Sequence, residues 1–279
     1  MARKRVLCVA VAGSLIGLAV LGASAWRPQD RGDDRVSREG GALPDPDTAS
    51  LDTLHEAYGR REYSQGPEET LIRAFFRDRR EGFFLDVGAS HHEKDSTTYY
   101  LERHLDWHGI AINTHEACRA DYQRFRPRTR FFAVFLTNRA GQQTDYFVRT
   151  ADARISSGSH DRLHSVRDRN VETTRVPSTT LDHLLTAERV KEVDFVSLGI
   201  EGFEPETLEG FDLERYRPEL LCVKMQTHAR QRLVAYSASH QMQTRTRARL
   251  VAYFAPHQYV PIEQYRHADP VNLYFRRRQ

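Results

Sequence analysis

From Phe83 to Phe275, short apolar blocks alternate with amphipathic stretches, and that rhythm sets the elements. The near-continuous apolar blocks Phe83–Val87, Gly109–Ile112, Phe131–Leu136, Val193–Leu198 and Leu220–Val223 predict strands buried on both faces, as in a parallel sheet. Between them, Thr97–Leu105 and Glu116–Phe125 carry helical spacing, as does Arg245–Phe254 with Leu250, Val251 and Phe254 on one side. Pro67–Arg80 opens on proline and two acids and closes on basic residues, which are helix start and stop signals. Thr180–Thr186, capped by Ser178 or Thr179, and Pro205–Glu209 are expected as shorter helices. Asp145–Val148 reads as a short strand, and Thr150–Arg175 as polar and irregular. Tyr259–Ile262 and Val271–Phe275 complete the strands. Their connection, which contains Asp269-Pro270, reads as too short for a helix, so the two should pair antiparallel. Strands alternating with helices predict a doubly wound α/β fold, a seven-stranded mostly parallel sheet with one antiparallel strand at one end.

The N-terminal region follows other rules. Arg3-Lys4-Arg5 precedes an uncharged run, Val6–Trp26, long enough to cross a bilayer as a helix. It is expected to be a signal anchor, or a signal peptide cut after Ala23-Ser24-Ala25, with the remaining chain facing outward. An over-extended gene start is the third alternative, and it would leave the protein in the cytoplasm. Residues 27–66 are polar and interrupted by Pro and Gly, which predicts a linker, disordered at least to Pro46 and holding one short helix at Leu51–Tyr58. The expected organisation is therefore 1–26 targeting segment, 27–66 linker and 67–279 globular domain.

Composition narrows function mainly by exclusion. The 41 basic and 38 acidic side chains are interspersed, so no concentrated basic stripe marks a nucleic-acid partner. The three cysteines, Cys8, Cys118 and Cys222, lack zinc-site spacing. Cys222 reads as a small buried hydrophobe, with a Cys118–Cys222 disulfide as the alternative.

The chemistry concentrates after the first strand. Phe83–Val87 carries Asp86 and runs into Gly88-Ala89-Ser90, followed by a helix and a second apolar strand. Strand, glycine turn, helix and strand form the unit that holds a nucleotide-like cofactor at the carboxyl ends of parallel strands. Glycine lets backbone approach a ligand where a Cβ would collide. An acid that would grip a ribose diol is expected where the second strand ends, and Asn113 stands there instead. His91, His92, His115 and His228 can gather at the mouth of such a pocket, but they lack metal-ligand spacing.

A series of segments in order, FFLDVGAS, STTYYLERHLDWHGIAI, RPRTRFFAVFLTN, ISSG, VPSTTLDHLL, VDFVSLGIEGFEPETLEGFDLERYRPELLCV and NLYFRR, resembles the FkbM-type S-adenosylmethionine-dependent methyltransferases from about Gly82 to Arg278. The resemblance implies the seven-stranded methyltransferase sheet, S-adenosylmethionine as cofactor and O-methylation of a small-molecule or sugar hydroxyl. It assigns Asp86, Gly88 and Ser90 to the methionine part of the cofactor. Ser96 and Thr98 match polar positions at the next helix entry, and Glu201 and Gly202 match the loop after the fourth strand. Ser156 and Ser157 fall in a loop over the acceptor.

Three positions depart from that family's pattern, all at strand ends. Asn113 replaces the ribose acid, Gly199 replaces an acid before Ile200-Glu201-Gly202, and Lys224 replaces an acid after the fifth strand. Asn113 and Gly199 remain candidate cofactor contacts. Glu201, Lys224 and His228 are the candidates for the acceptor-side base or its charge partner. Structural roles compete with each: Asp86 as a strand-end cap, Glu201 as cap of the helix near Pro205, and Lys224 paired with Glu201 or extended into solvent. Losing a charged partner at Asn113 costs about 1–2 kcal/mol, roughly tenfold in affinity. The competing function is a non-catalytic, membrane-tethered binding domain with an altered pocket. An outward-facing domain would favour it, because the charged cofactor is a cytosolic metabolite.

Overall fold

The computed structural model describes residues 43–141, 143–149, 156–157, 171–200, 204–224 and 246–278. The apolar run Val6–Trp26, Glu201, Gly202 and His228 lie outside them. No helix among the described residues is long and apolar enough to cross a membrane.

The main sheet contains β1 (Phe83–Val87), β2 (His108–Asn113), β3 (Thr129–Ala133), β8 (Phe195–Leu198), β9 (Leu220–Lys224), β10 (Tyr259–Pro261) and β11 (Asn272–Arg277), in the order β10-β11-β9-β8-β1-β2-β3. β1, β2, β3, β8 and β9 pair in parallel. β11 is antiparallel to both β9 and β10. The expected seven-stranded, mostly parallel sheet is thus observed, with the reversed strand second from the edge. The order changes direction at β1: the chain steps one way to β2 and β3, and later returns on the other side at β8. That switch point is where crossovers diverge and leave a crevice above the strand ends.

Both faces are covered, which is why the strands read as apolar runs rather than alternating ones. On one face Leu85, Val87, Ile110, Ile112, Val196, Leu198, Leu221 and Val223 pack with α5 (Leu181–Ala187), α6 (Glu204–Glu209), α7 (Leu213–Tyr216) and α8 (residues 246–254). On the other, Phe84, Phe195, Leu220, Cys222 and Tyr274 pack with α1 (Leu51–Tyr58), α2 (Glu68–Phe76) and α3 (Tyr99–Leu105).

Several local expectations need correction. Leu51–Tyr58 is the helix expected inside the linker, yet Leu54 and Tyr58 are buried in the second core. Ser50 caps it, its hydroxyl accepting from the Thr53 amide at 3.2 Å. Packing therefore begins upstream of Pro67. α2 stops at Phe76 rather than Arg80, because Arg77 and Asp78 both adopt left-handed backbone, φ 52°. Pro67 is its N-cap. Glu116–Phe125 divides into a 3₁₀ turn, Glu116–Cys118, and α4 (Arg119–Phe125).

Phe131–Leu136 is not one strand. It ends the main sheet with β3, then starts a second sheet as β4 (Phe135–Leu136), which pairs with β7 (Val171–Thr179). The second sheet also holds β5 (Gln143–Arg149) and β6 (Ser156–Ser157), in the order β4-β7-β5-β6. Thr150–Arg175 was expected to be irregular, but Val171–Arg175 opens β7, the threonine- and valine-rich partner of β5. Ser178 and Thr179 consequently belong to a strand, and Thr180 caps α5 by accepting from the His183 amide at 3.0 Å. Between β10 and β11 a helix does fit: α9 (Glu263–Ala268) makes the connection, and the pair is still antiparallel. Cys118 and Cys222 are free thiols.

Candidate functional site

The switch point brings four of the predicted residues into adjacent strand ends. Register continues across the sheet from Cys222 to Ser197 to Asp86 to Ala111. Two residues further along the same strands stand Lys224, Gly199, Gly88 and Asn113. Parallel strands in register thus deliver Lys224, Gly199, Gly88 and Asn113 to one edge.

Gly88 is the pivot. Its φ is +90°, and an added Cβ would run into the Gly199 carbonyl. Its amide and that of Ala89 both donate to Ile112 O, at 2.9 and 3.1 Å, so the turn is fixed onto β2. On the other side the Gly199 amide donates to Val87 O at 2.9 Å. Only glycine meets these demands, since a side chain disfavours left-handed backbone and here has no room. Ser90, just past the bend, is exposed.

Asp86 lies beneath the bend and is 5% exposed. The Thr98 hydroxyl donates to its Oδ2 at 2.8 Å. Ser96 accepts from the Thr98 and Tyr99 amides at 3.3 and 3.1 Å and so closes the entry to α3. Thr97 and Ser197 share a buried hydroxyl pair at 2.9 Å. A polar layer thus lies under the crevice, in a sheet otherwise filled with apolar side chains. The Tyr122 phenol, from α4, is buried there without a hydrogen-bond partner. Burial, then the nearby Asp86 carboxylate, pushes its pKa far up, which keeps the phenol protonated as a donor.

Asn113 is more committed than the sequence suggests. Its Nδ2 donates to Ala89 O at 2.5 Å, while Oδ1 accepts from the His115 amide at 3.1 Å and the Thr114 hydroxyl at 3.3 Å. The side chain ties the β1 and β2 turns together. Its oxygen is already used, so what it retains for a ligand is one N–H. Oδ1 therefore has no lone pair left to accept from a further hydroxyl.

Lys224 is half-buried and crosses Gly199: its Cδ lies 2.7 Å from where a Gly199 Cβ would stand. The space left by Gly199 is filled by lysine methylenes. Ser156 and Ser157 form β6, paired antiparallel with Val148 and Phe147, rather than a free loop; their side chains lie outside the described residues.

No group of potential metal ligands stands together among the described residues. His91 stacks on His92 at 4.3 Å, and His92 on Phe125 at 4.6 Å. His91 Nδ1 accepts from the Glu93 and Lys94 amides at 3.1 and 3.0 Å, an arrangement that folds the loop after Ser90. Sequence reasoning missed Arg126 and Glu102, a buried pair next to Thr98. The unlike charges sit 24 residues apart, too far for a local signal.

A seven-stranded sheet with its reversed strand second from the edge, and a glycine bend over a buried acid at the switch point, defines an α/β fold of the methyltransferase type. The chain belongs to the FkbM methyltransferase family: the methyltransferase FkbM domain model matches residues 86–255, more than half of its length. No curated protein and no solved structure matches it.

Proposed function

We propose that the chain transfers a methyl group from S-adenosylmethionine to a hydroxyl of a small-molecule or sugar acceptor. The observation that carries this reading is the Gly88 bend, held by two strands over Asp86 at the switch point, in a member of a methyltransferase family. The residues present fit the cofactor: a positive-φ glycine and an exposed Ser90 follow a buried carboxylate at the end of β1, and the Tyr122 phenol, near Asp86, is a leftover donor. S-adenosylmethionine, when bound, supplies a methyl group already activated on a sulfonium.

Asp86, Gly88 and Ser90 would hold its methionine end, and Asn113 would donate its free N–H toward the ribose. The protein's remaining task is to hold the acceptor hydroxyl in line at about 3 Å and accept its proton. Glu201, two residues beyond Gly199 in sequence, is assigned the base, with His228 as a second candidate. Lys224 is assigned to the acceptor side, where a cation favours an acceptor oxygen that gains negative charge.

The test is incubation of the full chain with methyl-labelled S-adenosylmethionine and a panel of sugar and polyketide alcohols. Label in an acceptor, abolished by Asp86→Asn, supports the reading. Absence of both transfer and cofactor binding would leave the non-catalytic binding domain. We propose as the second reading that Val6–Trp26 directs the chain outward, as an anchor or a cleaved signal, where the cytosolic cofactor is scarce and the domain would bind a ligand rather than methylate one. A C-terminal reporter active only outside the cytoplasm checks this, and a silent reporter contradicts it.

A further inference from the structure

Arg126 closes α4 and is 1% exposed, yet the hydrogen bonds of its side chain all go to other segments. Its guanidinium reaches three residues, two on the connection that follows Gly88 and one on α3. Nε donates to Glu102 Oε2 on α3, Nη1 donates to His92 O at 2.8 Å, and Nη2 donates to Thr98 O and Thr98 Oγ1 at 3.3 and 3.2 Å. His92 lies midway along the connection from the Gly88 bend to α3, and Thr98 closes it. Two of that connection's anchors therefore hang on one side chain.

The electrostatics are complete around it. Glu102 neutralises the charge, and its two oxygens also accept from the Arg128 amide, at 2.9 Å, and from the Thr129 hydroxyl. The rings of Tyr99, Tyr122 and Phe84 stand 5.3, 5.6 and 5.7 Å from the guanidinium carbon and keep water out. A charge this deep is costly unless paired and fully hydrogen-bonded, and removing one partner strands the other. A plain stability role would be met as well by apolar side chains of similar volume.

Thr98 supplies the functional link. Its hydroxyl accepts from Arg126, so its single hydrogen is free to point at Asp86 Oδ2, 2.8 Å away. We propose that Arg126 is a positioning residue for the cofactor site: it sets the Gly88–Ser96 loop through His92 and orients Asp86 through Thr98. The inference rests on the S-adenosylmethionine reading above. Arginine is required because a planar fork reaches four acceptor atoms on three residues at once, whereas an ammonium cannot reproduce that geometry.

The experiment compares the full chain with its Arg126→Lys variant, which keeps the charge beside Glu102. Amide hydrogen exchange and S-adenosylhomocysteine titration are read on both. The expected result is cooperative unfolding in both, with exchange in residues 88–98 accelerated about tenfold or more and β8–β9 unchanged. Affinity for S-adenosylhomocysteine falls about tenfold, the loss of one charge-assisted contact. Unchanged exchange in the loop overturns the inference, and so does faster exchange with unchanged affinity.

Should the lysine variant fail to fold, Thr98→Val removes the hydroxyl between Arg126 and Asp86 and leaves the Arg126 bonds to Glu102, His92 O and Thr98 O. About a tenfold loss of affinity with the fold intact is expected, and equal affinity overturns the relay. If the unmodified chain gives no heat with S-adenosylhomocysteine, the cofactor reading fails, while the exchange comparison still decides whether Arg126 holds the loop.

Discussion

The two halves of the crevice are built differently. The β1–β2 half is locked: Gly88 has no room for a Cβ, Asn113 bridges two turns, and Asp86 is bonded to Thr98 beneath them. The β8–β9 half is permissive: Gly199 faces only the methylenes of Lys224, which can swing aside. Both halves carry departures from the family's usual acids, yet only in the first has the replacement been absorbed into the backbone network. Backbone geometry at the strand ends is therefore fixed on the β1–β2 side, and variation is tolerated over β8–β9.

The largest effect is expected at Gly88. Gly88→Ala forces a side chain into left-handed backbone and against the Gly199 carbonyl. It should cost about 3 kcal/mol or more, read as a fall in the denaturant midpoint. Gly199→Ala, on the facing strand, should stay within about 1 kcal/mol of the unmodified chain, because the φ is ordinary and the obstacle is flexible. Similar losses at both positions would erase the contrast between the halves.

Next in size is Asn113→Asp, which restores the acid expected after β2. The carboxylate cannot donate to Ala89 O and would face that carbonyl instead. A destabilisation of about 1–3 kcal/mol is expected, without tighter cofactor binding, by thermal unfolding and titration. A gain in both would show that Asn113 is a simple loss of function rather than a structural tie.

The smallest effect concerns pH. Burial, then the neighbouring His91, lowers the His92 pKa, and burial also lowers that of His55. A depressed histidine pKa means that the unfolded chain binds the proton more readily. The stabilisation is complete above the unfolded value near 6.5 and is lost as pH falls through the folded value. The melting temperature should drop between about pH 7 and 5, and less steeply in His92→Gln. An identical slope would remove His92 from that account.

Much of this was legible in the chain. Phe83–Val87 was readable to the residue because an apolar run, an acid and a glycine coincide there. Phe131–Leu136 was not divided correctly, since both of its strands are apolar and the break between sheets leaves no polar or glycine signal. Val171–Thr179 looked irregular because its β-branched residues alternate with charged ones and Pro177 interrupts them. For the site, the strand-end residues were readable from spacing. What the residues do was not: Asn113 appeared free to accept until its amide was seen between two turns. Nothing in the chain sets Arg126 apart from the other arginines, because its burial depends on Glu102 and on rings from β1, α3 and α4.

The most direct test of the locked half is calorimetric titration of S-adenosylhomocysteine into the full chain, Gly199→Ala and Asp86→Asn. The account predicts micromolar binding to the first two and at least about tenfold weaker binding to Asp86→Asn with its melting temperature retained. No heat at millimolar ligand, or a loss at Gly199 that matches the loss at Asp86, would contradict it.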